Sequence, residues 1–98
     1  MHNEHYKELE IDTIALWKAN KTLKQLIDAC EFQIDKYNRR PKKGEELKDC
    51  DKIIFYANLK YECYSIMKEC KKNISYSKAI DFLNKKNNNK LDLNLSVV

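Results

Sequence analysis

Lys36-Tyr37-Asn38-Arg39-Arg40-Pro41-Lys42-Lys43-Gly44-Glu45-Glu46 decides the fold of this 98-residue chain. The segment holds the only glycine and the only proline, and five cations fall between positions 36 and 43. On both sides apolar residues recur at helical spacing, so the segment reads as a basic loop joining two helices. Pro41 stops the first helix, because the residue before a proline is pushed out of the α region. Glu45 and Glu46 open the second, where their charges suit the positive end of the helix dipole. Cations at such a junction form either a solvated turn or a holder for phosphate groups.

Working outward, Thr22-Leu23-Lys24-Gln25 fits a capping box. The helix it opens carries Leu23, Leu26, Ile27, Cys30, Ile34 and Tyr37 at spacings of three and four. Residues 10–19 read as a short helix, started by Asp12 or Thr13 and carrying Ile11, Ile14, Leu16 and Trp17. The second long helix is read as about 28 residues, roughly 42 Å. One of its stripes is Leu47, Cys50, Ile54, Ala57, Tyr61, Tyr64 and Met67; the adjacent one is Ile53, Tyr56, Leu59, Cys63, Ile66 and Cys70. The combined apolar face is broad enough to serve a partner subunit with half of it. Asn73 interrupts the pattern, and Ser75 caps a last helix with Tyr76, Ala79, Ile80, Phe82 and Leu83.

Beyond that helix, the asparagine-rich run from Lys85 to Lys90 reads as a polar linker. Residues 91–98 alternate apolar and polar, as a frayed tail or a strand docked on a neighbouring chain would. The expected organisation is a helical domain over residues 1–86, with linker and tail over 87–98. The expected fold is all-α, a small bundle of two long antiparallel helices with short flanking helices, self-associating.

A chain of this length makes one domain and buries only about 60–65% of its unfolded surface. The net charge of +4 and pI of 8.8 permit phosphate-bearing partners without marking a dedicated DNA-binding arm. The start of the chain is polar, without the apolar core of a signal peptide. No run approaches the ~20 apolar residues of a membrane span. The expected location is therefore the cytoplasm, with no membrane partner. Cys30, Cys50, Cys63 and Cys70 are then expected to be reduced and to fill small apolar positions. They contain no Cys-x-x-Cys, and His2 and His5 lie far from them in sequence, which offers no local zinc motif.

The glycine-rich phosphate loops are absent, since Gly44 stands alone. Carboxylates are plentiful: Glu45, Glu46, Asp49 and Asp51 at the start of the second helix, and Glu31 and Asp35 on the first. Two facing helices with such acids could hold Mg²⁺, as in all-helical nucleotide pyrophosphohydrolases, but helix-end electrostatics and solvated charge are the better account of them. Ten aromatic residues give several surfaces on which a base could stack, and also fill a core.

The order His5-Tyr6-Lys7, Ile11-Asp12, Lys36-Tyr37-x-x-Arg40, Lys43-Gly44 and Asp49-Cys50-x-Lys52-x-x-Phe55-Tyr56 resembles a family of small bacteriophage proteins. These open with His-Tyr, continue with Pro-Ile-Asp, and carry Lys-Tyr-x-x-Arg, then Gly, then Asp-Leu-x-Lys-Ala-x-x-Tyr. The family includes a nucleoside-monophosphate kinase without a phosphate loop. Here Glu10 stands in place of the proline, Phe32-Gln33 replaces a frequent Gly-Asn, and Cys50 and Ile53 replace Leu and Ala. The resemblance implies a phage-encoded nucleotide-binding protein acting in the host cytoplasm. Its site would comprise His5, Tyr6, Lys36, Tyr37, Arg40, Lys43, Asp49, Lys52 and Tyr56. One expected mechanism is sequestration of a nucleotide, such as a host immune signal, in an anti-defence role. A second is a monophosphate kinase or phosphohydrolase, with Lys36, Arg40 and Lys43 on phosphates and Asp49 on Mg²⁺. The third, from another class, is inhibition of a host defence enzyme by protein–protein contact.

Overall fold

The computed structural model describes residues 12–40 and 43–97, with side chains up to residue 87. Among the described residues four helices follow one another: α1 over 12–20, α2 Leu23–Arg39, α3 Glu46–Cys70 and α4 Tyr76–Val97. Helices α2 and α3 form an antiparallel hairpin, α4 packs on α3, and no strand longer than a single bridge occurs among the described residues.

Thr22 starts α2 as the sequence predicts. Its hydroxyl accepts from the Gln25 amide at 3.2 Å, while the Gln25 side chain accepts from the Thr22 amide at 3.0 Å. A helix leaves its first amides without internal acceptors, and α2 satisfies the others at long range. Leu23 N–H donates to the Ile74 carbonyl at 2.8 Å, and Lys24 N–H donates to Asn73 Oδ1 at 3.0 Å. Asn73 is thus more than a helix breaker, since the connector between α3 and α4 folds back to cap α2. A bridge between Thr22 and Ser75 fixes that return.

At the other end of the hairpin, Arg40 takes an extended backbone ahead of Pro41, and α2 stops. Gly44 turns with φ +89°, a conformation costly for any residue bearing a β-carbon. Its amide donates to both carboxylate oxygens of Glu46 at 3.0–3.1 Å. Those bonds, after the one from Glu46's own amide, hold the Glu46 carboxyl below its usual range. Lys71 ends α3 in the left-handed region at φ 56°, and its N–H returns to the Met67 carbonyl.

The core joins all four helices. Ile14 comes from α1; Leu23, Leu26, Ile27 and Cys30 from α2; Tyr56, Leu59, Cys63, Ile66 and Cys70 from α3; Ala79 and Leu83 from α4. Burial pushes the Cys30 thiol up to about 11 and the Cys63 thiol up to about 12. Lys60 opposes the shift at Cys30, whereas Cys30 and Glu62 add to it at Cys63.

Three expectations need correction. Cys50 does not fill a core position: it is exposed, while the other three thiols are buried. The long second helix is 25 residues, not about 28, because Lys71 turns left-handed before Asn73 is reached. The backbone of α4 continues as helix to Val97, through the run read as linker and tail. No glycine or proline follows Gly44, so nothing in residues 85–97 forces the helix to end.

Candidate functional site

The Lys-Tyr-x-x-Arg segment closes α2, and its last turn faces the first three turns of α3. Tyr37 is half-buried and lies over Tyr56, with ring centroids 6.4 Å apart and planes 17° from parallel. Tyr56 is buried in the core and meets Phe55 nearly at right angles, with ring centroids 5.1 Å apart. The Tyr37 ring also meets cations: Lys36 Nζ is 5.4 Å from its centroid and the Arg40 guanidinium carbon 5.9 Å. Both distances fall within the ~6 Å over which a ring quadrupole attracts a cation.

Arg40 is the hub. Its Nη2 donates to Glu45 Oε2 at 3.1 Å, and its Nη1 lies 3.8 Å from Asp49 Oδ1. Asp49 is the only buried charged residue among the described residues, 9% exposed. The sequence reading gave Arg40 to a phosphate and Asp49 to a metal; the fold instead pairs them with each other. This arrangement follows from position. Arg40 caps the end of α2, and Glu45 and Asp49 lie at the cap and first turn of the facing helix. The guanidinium has five N–H donors, so two carboxylate contacts leave others to point outward. Held on two sides, the fork is oriented before any ligand arrives.

Lys52, one turn beyond Asp49, is half-buried, and Lys43 is exposed in the turn. The hairpin end therefore gathers Lys36, Tyr37, Arg40, Lys43, Asp49, Lys52 and Tyr56 from the set the sequence names. His5 and Tyr6 lie outside the described residues. Two other described acids that the sequence offers for a metal are paired elsewhere. Asp35 pairs with Arg39 at 3.0 Å and Glu31 with Lys60 at 3.1 Å. Among the described residues, no group of three His, Cys, Asp or Glu side chains is placed to hold an ion. Two features escaped the sequence reading: Glu45 as an Arg40 partner, and the stacking of Tyr37 on Tyr56. The four-residue step from Glu45 to Asp49, one helical turn, is the signal that could have placed both acids against one cation.

A second polar group lies at the opposite end. The Tyr76 hydroxyl donates to Glu62, and Lys18 Nζ sits 4.6 Å from the Tyr76 ring. Burial and that hydrogen bond push the Tyr76 hydroxyl up. This cluster ties α1, α3 and α4 together. No helix among the described residues is long and apolar enough to cross a membrane.

The family model described as a protein of unknown function, DUF3310, matches residues 1–58, more than half of the chain, so the chain belongs to that family. The match spans every candidate site residue and stops midway along α3. No curated protein and no solved structure matches the chain.

Proposed function

Taking membership of that family as the premise, we propose that the hairpin end binds a nucleotide or another phosphate-bearing small molecule without turning it over. The observation that carries this reading is the Arg40 guanidinium, fixed between Glu45 and Asp49 beside the Tyr37 ring. A planar fork is suited to phosphate in a way that a lysine is not. An aromatic face next to it suits a base. Lys36 and Lys43 add exposed positive charge beside Arg40. Binding without turnover is favoured over kinase or phosphohydrolase chemistry because Glu45 and Asp49 share the Arg40 guanidinium and Glu46 accepts from the Gly44 amide, so these acids are already engaged within the protein. For a phage-encoded protein the reading fits sequestration of a nucleotide signal.

The test is calorimetric titration with nucleoside mono-, di- and triphosphates, joined by mass spectrometry of small molecules released on heating. Lys36 is exposed, so Lys36→Ala leaves the fold intact and should weaken binding by about 1 kcal/mol. Arg40→Ala should cost about 1.5–3 kcal/mol of binding, and Arg40→Lys should restore only part. All of these losses should shrink as salt rises. Recovery of an intact nucleotide supports binding, whereas recovery of a modified one favours catalysis. If no nucleotide binds, or Lys36→Ala and Arg40→Ala bind as the parent does, the reading fails.

A further inference from the structure

Positions 47, 50, 54, 57, 61 and 64 of α3 are spaced alternately three and four apart, the repeat of a coiled-coil seam. They carry Leu, Cys, Ile, Ala, Tyr and Tyr. None of them faces the core. Leu47 is 83% exposed, Ile54 57%, Tyr61 76% and Tyr64 49%, and Cys50 and Ala57 are exposed as well. We propose that this seam is the interface of a homodimer in which two α3 helices pack antiparallel.

Side-chain volume sets the direction. Antiparallel about its middle, the seam places Ile54 against Ala57, Cys50 against Tyr61 and Leu47 against Tyr64. Large meets small in the two inner pairs, and the pattern is its own complement under a two-fold axis. A parallel pair would stack like on like, leaving the Ala57 layer under-filled and the two tyrosine layers crowded, which close packing penalises. Charge sets the register. The next seam position is Lys68. A slip of one heptad in one direction brings Lys68 against Cys50, and in the other it leaves Tyr61 and Tyr64 beyond the start of the partner's helix. Antiparallel alignment also opposes the two helix dipoles.

The area fits this occupant. The aromatic side chains involved offer about 150–250 Å² each. With the exposures above, each copy contributes on the order of 500–700 Å² of seam. Doubled, that reaches the ~1,000 Å² at which an interface becomes specific. A monomer rarely leaves so much contiguous apolar surface in water. A second copy is the partner whose surface is guaranteed to match. The interface is independent of the hairpin-end site, so either reading can fail alone.

Sedimentation equilibrium of the full chain at micromolar concentration tests the proposal. The expected mass is 23.4 kDa, twice 11.7 kDa. Ile54→Glu buries a charge at the centre of the seam and should raise the dissociation constant at least about 100-fold. Ile54 lies outside the core, so the variant should keep the helical circular dichroism of the parent. Register is read by oxidising Tyr61→Cys: the bridge should join Cys50 of one copy to position 61 of the other. A monomer at these concentrations, a dimer indifferent to Ile54→Glu, or a Cys50–Cys50 bridge in the unsubstituted protein overturns the proposal.

Discussion

Helix α3 has two apolar stripes of nearly the same composition, and they meet opposite fates. Tyr56, Leu59, Cys63, Ile66 and Cys70 are buried against α2 and α4. Leu47, Ile54, Tyr61 and Tyr64, on the other side of the same helix, are exposed. Apolarity alone therefore does not decide burial; what decides is which element arrives. The short loop delivers α2 to one stripe, and the left-handed turn at Lys71 brings α4 to the same side. The remaining face stays exposed within a single copy. Each stripe is tested by substitutions that leave the other intact.

The largest difference should come from truncation. Leu59→Ala opens a cavity in the core and should cost about 2–5 kcal/mol in urea unfolding. Ile54→Ala, measured at concentrations below dimerisation, should change stability by no more than about 0.5 kcal/mol. Equal losses would mean that the outer stripe is covered within the monomer.

Alkaline pH probes the inner stripe next. The Cys30 and Cys63 thiols ionise at about 11 and 12 in the fold, against an ordinary 9.0. The unfolded chain releases these protons first. Their contribution to stability is therefore complete below pH 9 and is lost as pH rises through 11 towards 12. Denaturant melts across this range should show the fall, and Cys30→Ala should flatten it. Cys50, on the outer stripe, should be alkylated faster in Ile54→Glu than in the parent, as its seam is uncovered.

At the hairpin end, Arg40→Ala leaves the buried Asp49 carboxylate without its cation and should destabilise the fold by about 1–2 kcal/mol. Adding Asp49→Asn should recover part of that loss in a double-mutant cycle. At the α2 start, Thr22→Ala removes the capping box and should cost about 1 kcal/mol. The smallest effect is a gain: Lys71→Gly relieves a left-handed residue and should add up to about 1 kcal/mol.

The sequence made the hairpin legible because its signals are local. Thr22 with Gln25, Pro41 and Gly44 each act on backbone within a few residues, and the observed helix ends follow them closely. The roles of Arg40 and Asp49 were legible only as a neighbourhood. Which partner each takes depends on the facing helix, a matter of tertiary register. Asn73 lies within the break between α3 and α4, which begins earlier, at Lys71, and its bond to Lys24 spans 49 residues and leaves no local trace. The outer stripe was visible as apolar; which stripe stays open depends on where α4 lands.

Amide chemical-shift mapping during a nucleotide titration locates the bound ligand residue by residue. Saturable shifts are expected at the end of α2 and the first turns of α3, centred on Tyr37, Arg40, Asp49 and Tyr56, and lost in Arg40→Ala while the variant stays folded. Shifts along Leu47, Ile54 and Tyr61 instead, or none at saturating nucleotide, would rule out a site at the hairpin end.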